Sequence, residues 1–237
     1  VDAGGALMGF LGDVVDWFTT SAHWHGPNGL PQRVGEHVVL SLVAIGIACA
    51  VALPIGIALG HRRQGGTVAA AIANTGRAIP SFALLVLALK VFGLGSTPTY
   101  IALVVLAVPP MLVNAYVGVA EVDLELRESA RGMGMTGWQS LRRVELPLAL
   151  PLVMAGVRTG AVQVVATATL AAFIGEGGLG RYIVDGRAVQ DNVTVFAGAL
   201  AVALLSVLTE LGLGAVQRAV TPRGDRAAQL ADVAAAH

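Results

Sequence analysis

Charge is scarce in this chain. Only 13% of its 237 residues are Asp, Glu, Lys or Arg, and 15 basic side chains are matched by 15 acidic ones. That balance offers no basic surface and excludes nucleic acid as a partner. Cysteine is scarcer still. The single Cys49 excludes an intrachain disulfide framework and a cysteine-based metal cluster, and reads as a small buried hydrophobe. The chain has no P-loop, so ATP cannot be bound by that route. It also has no HExxH and no Ser, His and Asp arrangement, which leaves an enzyme reading without residues to stand on. Gly132, Gly134 and Gly137, and again Gly175, Gly177 and Gly180, share the spacing of a dinucleotide fingerprint, yet neither set follows a predicted strand. Two histidines flanking Trp24 are too few to hold a metal. No cofactor and no metal are expected.

Long apolar runs are what the chain has in abundance. It is 55% hydrophobic, with a mean hydropathy of +0.74, so the lipid bilayer is its solvent. Residues 38–59 form an uninterrupted run long enough for a hydrocarbon core of about 30 Å, and His61, Arg62 and Arg63 end it. A second span, 69–89, is expected to kink near Pro80, and a third, 100–120, contains Pro109 and Pro110. The fourth, 148–174, carries Arg158, Gln163, Thr167 and Thr169, and the fifth covers 194–216. The fold class is therefore all-α integral membrane with five spans.

Ahead of the spans, Leu7, Leu11, Val14, Val15 and Phe18 recur at helical spacing among acidic residues, which predicts a helix over 1–20 lying on the membrane surface. A signal peptide is not expected there, since the start is not basic. Residues 21–32 read as a loop, and 218–237 as a loosely ordered tail. Arg62, Arg63, Arg127, Arg131, Arg142, Arg143, Arg218, Arg223 and Arg226 fall on one side of a five-span arrangement, and Arg33, Lys90, Arg181 and Arg187 on the other. The positive-inside rule makes the first of these sides cytoplasmic, with the N-terminus outside.

Within the spans, Arg158 requires a partner, and Glu210 in the same half of the bilayer is the candidate for an ion pair. Gly56 with Gly60 and Gly156 with Gly160 are spaced for close helix approach. Polar side chains in spans tend to face a cavity. On that ground Asn74, Ser81, Asn114, Tyr116, Thr167 and Thr169, together with Phe82, are candidates to line a path, although most also suit helix packing.

The longest polar island is 121–151. Residues 121–133 read as a helix broken by Gly132, Gly134 and Gly137. Thr136 with Gln139 forms a capping box that starts a second helix over 137–145, and Pro147 and Pro151 mark the return to an apolar run. Here Glu128, Ser129 and Ala130, then Gly134 after three residues, Val144 after nine more, and finally Leu146 and Pro147, resemble the EAA loop of ABC importer permeases. Ser129 and Val144 stand where that motif has alanine and isoleucine. The resemblance implies a type I importer transmembrane domain over 36–217, whose coupling loop (121–147) docks into a cytoplasmic ATPase subunit. Trp138 and Leu141 are expected to anchor it there. A second permease copy or a paralogue would complete the pore.

Residues 166–183, with 78–85, look like the permeases for glycine betaine, choline and related osmoprotectants, and this resemblance extends over about 36–216. Methionine-type permeases share a similar glycine-rich segment, so a small amino acid is the alternative solute. Quaternary ammonium ions are usually held by cages of several aromatic rings. This chain is 5% aromatic with its rings scattered, so recognition is expected to lie mainly in an extracellular binding protein. A passive channel, an ion-coupled transporter and a membrane scaffold are the rival classes. More ionisable residues along the spans, or an internal repeat, would have favoured a secondary transporter.

Overall fold

The computed structural model describes residues 3–221, and every regular element among them is helical. Most of the expected tail, 222–237, lies outside the described residues. Among the described residues, four helices are long and apolar enough to cross a membrane: α2 (Leu30–Arg62), α5 (Ser96–Ala120), the stretch Gly137–Ile174 that contains α8 (Leu146–Thr167), and α10 (Asn192–Val220). The fifth candidate is not the continuous kinked span expected over 69–89. It is a broken pair, α3 (Gly66–Ala78) and α4 (Ser81–Phe92), with extended backbone at Pro80 (φ −62°, ψ 125°). Proline lacks an N–H and pushes the preceding residue out of helical backbone, so the helix stops rather than bends. Counted as one span, the pair gives five.

Two further boundaries differ from expectation. Helix α2 begins eight residues before the apolar run, and its first turns carry Gln32, Arg33, Glu36 and His37. The polar connection 175–191 contains a short helix, α9 (Gly180–Ala188).

The chain forms two compact units. The first comprises Val1–Ile47, Ile79–Leu106 and Ala161–Thr209. Leu30, Leu179 and Val202 form one cluster of its core, with Phe18, Val34, Tyr182 and Leu205 packed against them. The N-terminal helix α1 (Ala3–Thr19) is seated here by Trp17. This ring is 6% exposed, donates its indole N–H to Thr194 Oγ1 at 3.0 Å, and stacks on His23 at a centroid distance of 4.3 Å. Leu7, Met8, Leu11 and Val15 face outward from the same helix. The glycine-rich segment 175–180 owes its composition to close approach. A Cβ on Gly177 would lie 2.3 Å from Glu36 Oε2, and one on Gly180 would lie 2.2 Å from Thr169 O.

The second unit comprises Ala48–Ala78, Ala107–Gly160 and Glu210–His237. Its centre is the C-terminal half of α5, where Ala107, Met111, Ala115 and Val119 are fully buried. Both glycine pairs singled out by spacing pack on this half. A Cβ on Gly56 or Gly60 would lie 2.5 Å from Leu112 O or 2.6 Å from Tyr116 O. One on Gly156 would meet Asn114 Cβ at 2.6 Å, and one on Gly160 would meet Met111 Cε at 2.8 Å. Lipid tails provide no hydrophobic drive between helices, so association rests on such backbone-close packing.

Candidate functional site, a clamped helix pair between spans

The polar island folds as a helix, a turn and a second helical segment. Asp123 caps α6 (Leu124–Gly132), its side chain accepting from the Glu125 N–H at 2.9 Å. The helix closes through Gly134, whose N–H donates to Arg131 O while that of Met135 donates to Ala130 O. Gly134 sits at φ +78°, a left-handed conformation that costs a residue with a Cβ about 1–2 kcal/mol. Thr136 and Gln139 then form a reciprocal capping box that starts α7 (Gly137–Ser140).

The second helix does not end at 145. It runs through a π-helical turn, Leu141–Glu145, directly into α8. The wider turn lies just ahead of Pro147, whose ring clashes with the residue 143 carbonyl in a regular α-helix. Pro147 falls in the first turn of α8, where the apolar run resumes.

This geometry sorts the motif residues by face. Glu128, Ser129, Gly134 and Trp138 are exposed, Trp138 by 67%. Ala130 is buried, and Val144, Leu146 and Pro147 are half-buried. The expectation for Leu141 is corrected. It is 7% exposed and belongs to the core cluster of Ala115, Val119, Ala149 and Val153, on the face of the helix turned into the bundle. Trp138 remains as the large outward apolar side chain of the second helix, above a recess it lines with Gln139, Arg142 and Arg143.

The base of the pair is held by a network that sequence reasoning missed. Glu145, 1% exposed, accepts from Arg127 Nη2, from Ser140 Oγ at 3.0 Å, and pairs with His61 Nδ1 at 2.7 Å. Arg127 is itself 4% exposed. A buried carboxylate without partners is costly, and here one acid ties α6, the π turn and the end of α2 together. A second tie lies beside it. Arg63 ends α2 in the left-handed region (φ 51°), and its Nη2 donates to Val122 O at 2.7 Å. The available signal was an acid and an arginine on inward positions of otherwise apolar faces, and spacing alone does not pair them.

The candidate path residues are divided between the two units. Ser81 and Thr167 border a water-sized cavity of the first unit with the buried Thr99, whose hydroxyl has no partner among the described residues. Phe82 meets Phe173 edge-on at 5.6 Å, and Thr169 Oγ1 donates to Ala166 O. Asn74, Asn114 and Tyr116 belong to the second unit. Asn74 is exposed. Asn114 Nδ2 donates to Pro110 O at 2.8 Å, and the Tyr116 hydroxyl lies over Gly66. Arg158 Nε lies 3.3 Å from Glu210 Oε1.

Several spanning helices carrying an exposed, clamped helix pair define a type I ABC importer transmembrane domain. The solved methionine transporter MetNI, in inward-facing conformations, has that architecture. Its chain superposes with a TM-score of 0.69 at 26% identity, covering 81% of this chain and 96% of that one. This chain belongs to the family of binding-protein-dependent transport system inner membrane components, whose family model matches residues 52–222. Among its relatives is the glycine betaine/carnitine/choline transport system permease protein OpuCB of Bacillus subtilis, 39% identical over 82% of this chain and 90% of that protein. The carnitine transport permease protein OpuCB of Listeria monocytogenes is 37% identical over 91% of this chain and 97% of its own length. The osmoprotectant import permease protein OsmW of Salmonella typhimurium is 34% identical over 81% and 91%.

Proposed function

We propose that this chain is the permease subunit of an ATP-driven importer for osmoprotectants such as glycine betaine, choline or carnitine. Identities of 34–39% to permeases named for those solutes, over four-fifths or more of the chain, carry the solute class. The methionine alternative has in its favour only the more distant solved structure. The chain has no ATPase site of its own. A cytoplasmic ATPase subunit supplies hydrolysis, an extracellular binding protein delivers solute, and a second permease copy or paralogue completes the conduit.

In this reading the N-terminus is outside, α1 rests at the outer membrane surface, and α6 and α7 face the cytoplasm. Glu128, Ser129 and Trp138 enter a groove on the ATPase. Arg127, Glu145 and His61 make the pair rigid, so groove movement on ATP binding is passed to α2 and α8 instead of being absorbed in the loop. The bundle then alternates between inward-facing and outward-facing states. Arg158 and Glu210 neutralise one another within the span.

Gentle detergent extraction of the tagged chain, followed by mass spectrometry, tests the assembly. An ATPase that co-purifies and is lost on combined change of Glu128 and Trp138 supports the reading. Its absence even after crosslinking points instead to a channel or scaffold.

A further inference from the structure

The first unit holds a second feature that the coupling mechanism does not use: an open cleft of about 610 Å3 at the start of α2, a volume suited to a small solute. Arg33, Glu36, Gln32, Tyr100 and Glu176 line it. Most of its polar groups are already engaged with one another. Arg33 Nη1 donates to Glu36 Oε2 at 2.9 Å, and Arg33 Nη2 donates to Asn28 Oδ1. Glu36 also accepts from Gln32 Nε2 at 3.3 Å and from the Gly178 N–H at 2.8 Å. Arg33 and Glu36 therefore cancel in charge and fix one wall.

Glu176 is different. It is half-buried in the cleft, yet among the described residues its carboxylate takes part in no hydrogen bond and no ion pair, and the Tyr100 hydroxyl is likewise unbonded. The position of Glu176 is nevertheless set. Its N–H donates to Ala171 O at 3.2 Å in the turn closed by Gly175 (φ +92°), and two residues on Gly178 is held by Glu36. The cleft thus presents one uncompensated negative charge on a fixed backbone, beside one aromatic ring.

We infer that this cleft is a handover site for quaternary ammonium solutes, with the cationic head between the Glu176 carboxylate and the Tyr100 ring. The inference rests on the osmoprotectant reading above and adds a place for the solute on this chain. A quaternary ammonium ion has no N–H to donate, so it is recognised by charge and by an aromatic face, and both are present. One ring in place of a cage, and a carboxylate still partly in water, make the site weak. Weak binding suits a station that must accept solute from a tighter binding protein and release it onward. The carboxylate of a betaine would lie toward Gln32 and Arg33, the donor side of the same cleft.

The test uses the assembled transporter in nanodiscs without binding protein, with choline as probe and saturation-transfer NMR as readout. The wild type should bind choline weakly. Glu176→Gln should weaken binding at least about tenfold, or about 1.4 kcal/mol. Glu176→Asp should recover part of the loss, and Tyr100→Leu should also weaken binding. The uncharged carbon isostere of choline should not compete. If Glu176→Gln does not assemble, the Asp and Tyr100 variants carry the comparison. Unchanged choline binding in Glu176→Gln, or equal competition by the isostere, overturns the inference. So does a loss confined to docking of the binding protein. A wild-type transporter that carries choline and betaine while the variants bind normally refutes the cleft alone. A wild type that neither binds nor carries any trimethylammonium solute refutes the function reading with it.

Discussion

Removing the Glu145 carboxylate should have a larger effect than any other single change in the loop. Glu145→Ala leaves Arg127 charged and 4% exposed with its principal counter-charge gone, and deprives Ser140 and His61 of their acceptor. Breaking a buried pair from one side costs about 3–5 kcal/mol, mainly through the charge left behind. In a domain of this size that corresponds to a fall in melting temperature of roughly 6–20 °C. Arg127→Met should cost a comparable amount. The double variant Arg127→Met with Glu145→Leu should cost less than either single one, because it leaves no uncompensated ion. The assay is thermal unfolding of the detergent-purified transporter, paired with solute-stimulated ATP hydrolysis. Both single variants should uncouple hydrolysis from solute even below their melting temperatures. Single costs below about 1 kcal/mol that simply add in the double variant would refute the clamp.

Gly134→Val should abolish coupling by placing a β-branched residue at φ +78°, whereas Gly134→Asn should retain much of it, as read by solute-stimulated hydrolysis. Gly60→Leu should destabilise the bundle by about 1–3 kcal/mol or more in thermal unfolding, since even its Cβ would lie 2.6 Å from Tyr116 O. Arg158→Glu should impair membrane assembly, and adding Glu210→Arg should restore it; tolerance of the single reversal would dismiss the pair. Asp191 caps α10, accepting from the Thr194 hydroxyl at 2.6 Å and from the Thr194 and Val193 amides, and these bonds hold its carboxyl below the ordinary aspartate range. Its contribution is therefore present above the unfolded-state value and lost as pH falls through the lower folded one. Asp191→Ala should cost about 1 kcal/mol near neutral pH, and Asp191→Asn should remove this pH dependence from unfolding curves.

The parts of this protein legible in its sequence are those set by local chemistry. Apolar run length gave the spans, and Thr136 with Gln139 gave the start of α7. Glycine spacing marked both ridges that close on α5. The rest depends on contacts distant in the chain. Helix α2 begins at Leu30, its first turns holding Arg33 and Glu36 on the glycine-rich segment 142 residues away, a partner that no periodicity reveals. Leu141 read as an anchor because helical spacing puts it near Trp138, but its side chain packs on Ala115 and Val119 of α5, contacts more than twenty residues back along the chain. Pro80 read as a kink because apolar residues continue on both sides, and the backbone stops there instead. Glu145 was invisible as a site because its partners, Arg127 and His61, lie 18 and 84 residues away.

The central claim is that ATP hydrolysis on a partner subunit drives solute through this chain. Uptake of labelled glycine betaine into proteoliposomes containing this chain, its ATPase and its binding protein measures that claim directly. The account predicts accumulation against a gradient that requires ATP on the ATPase side and is lost in Gly134→Val with the assembly intact. Equilibration without ATP, or accumulation unaffected by that variant, would contradict it.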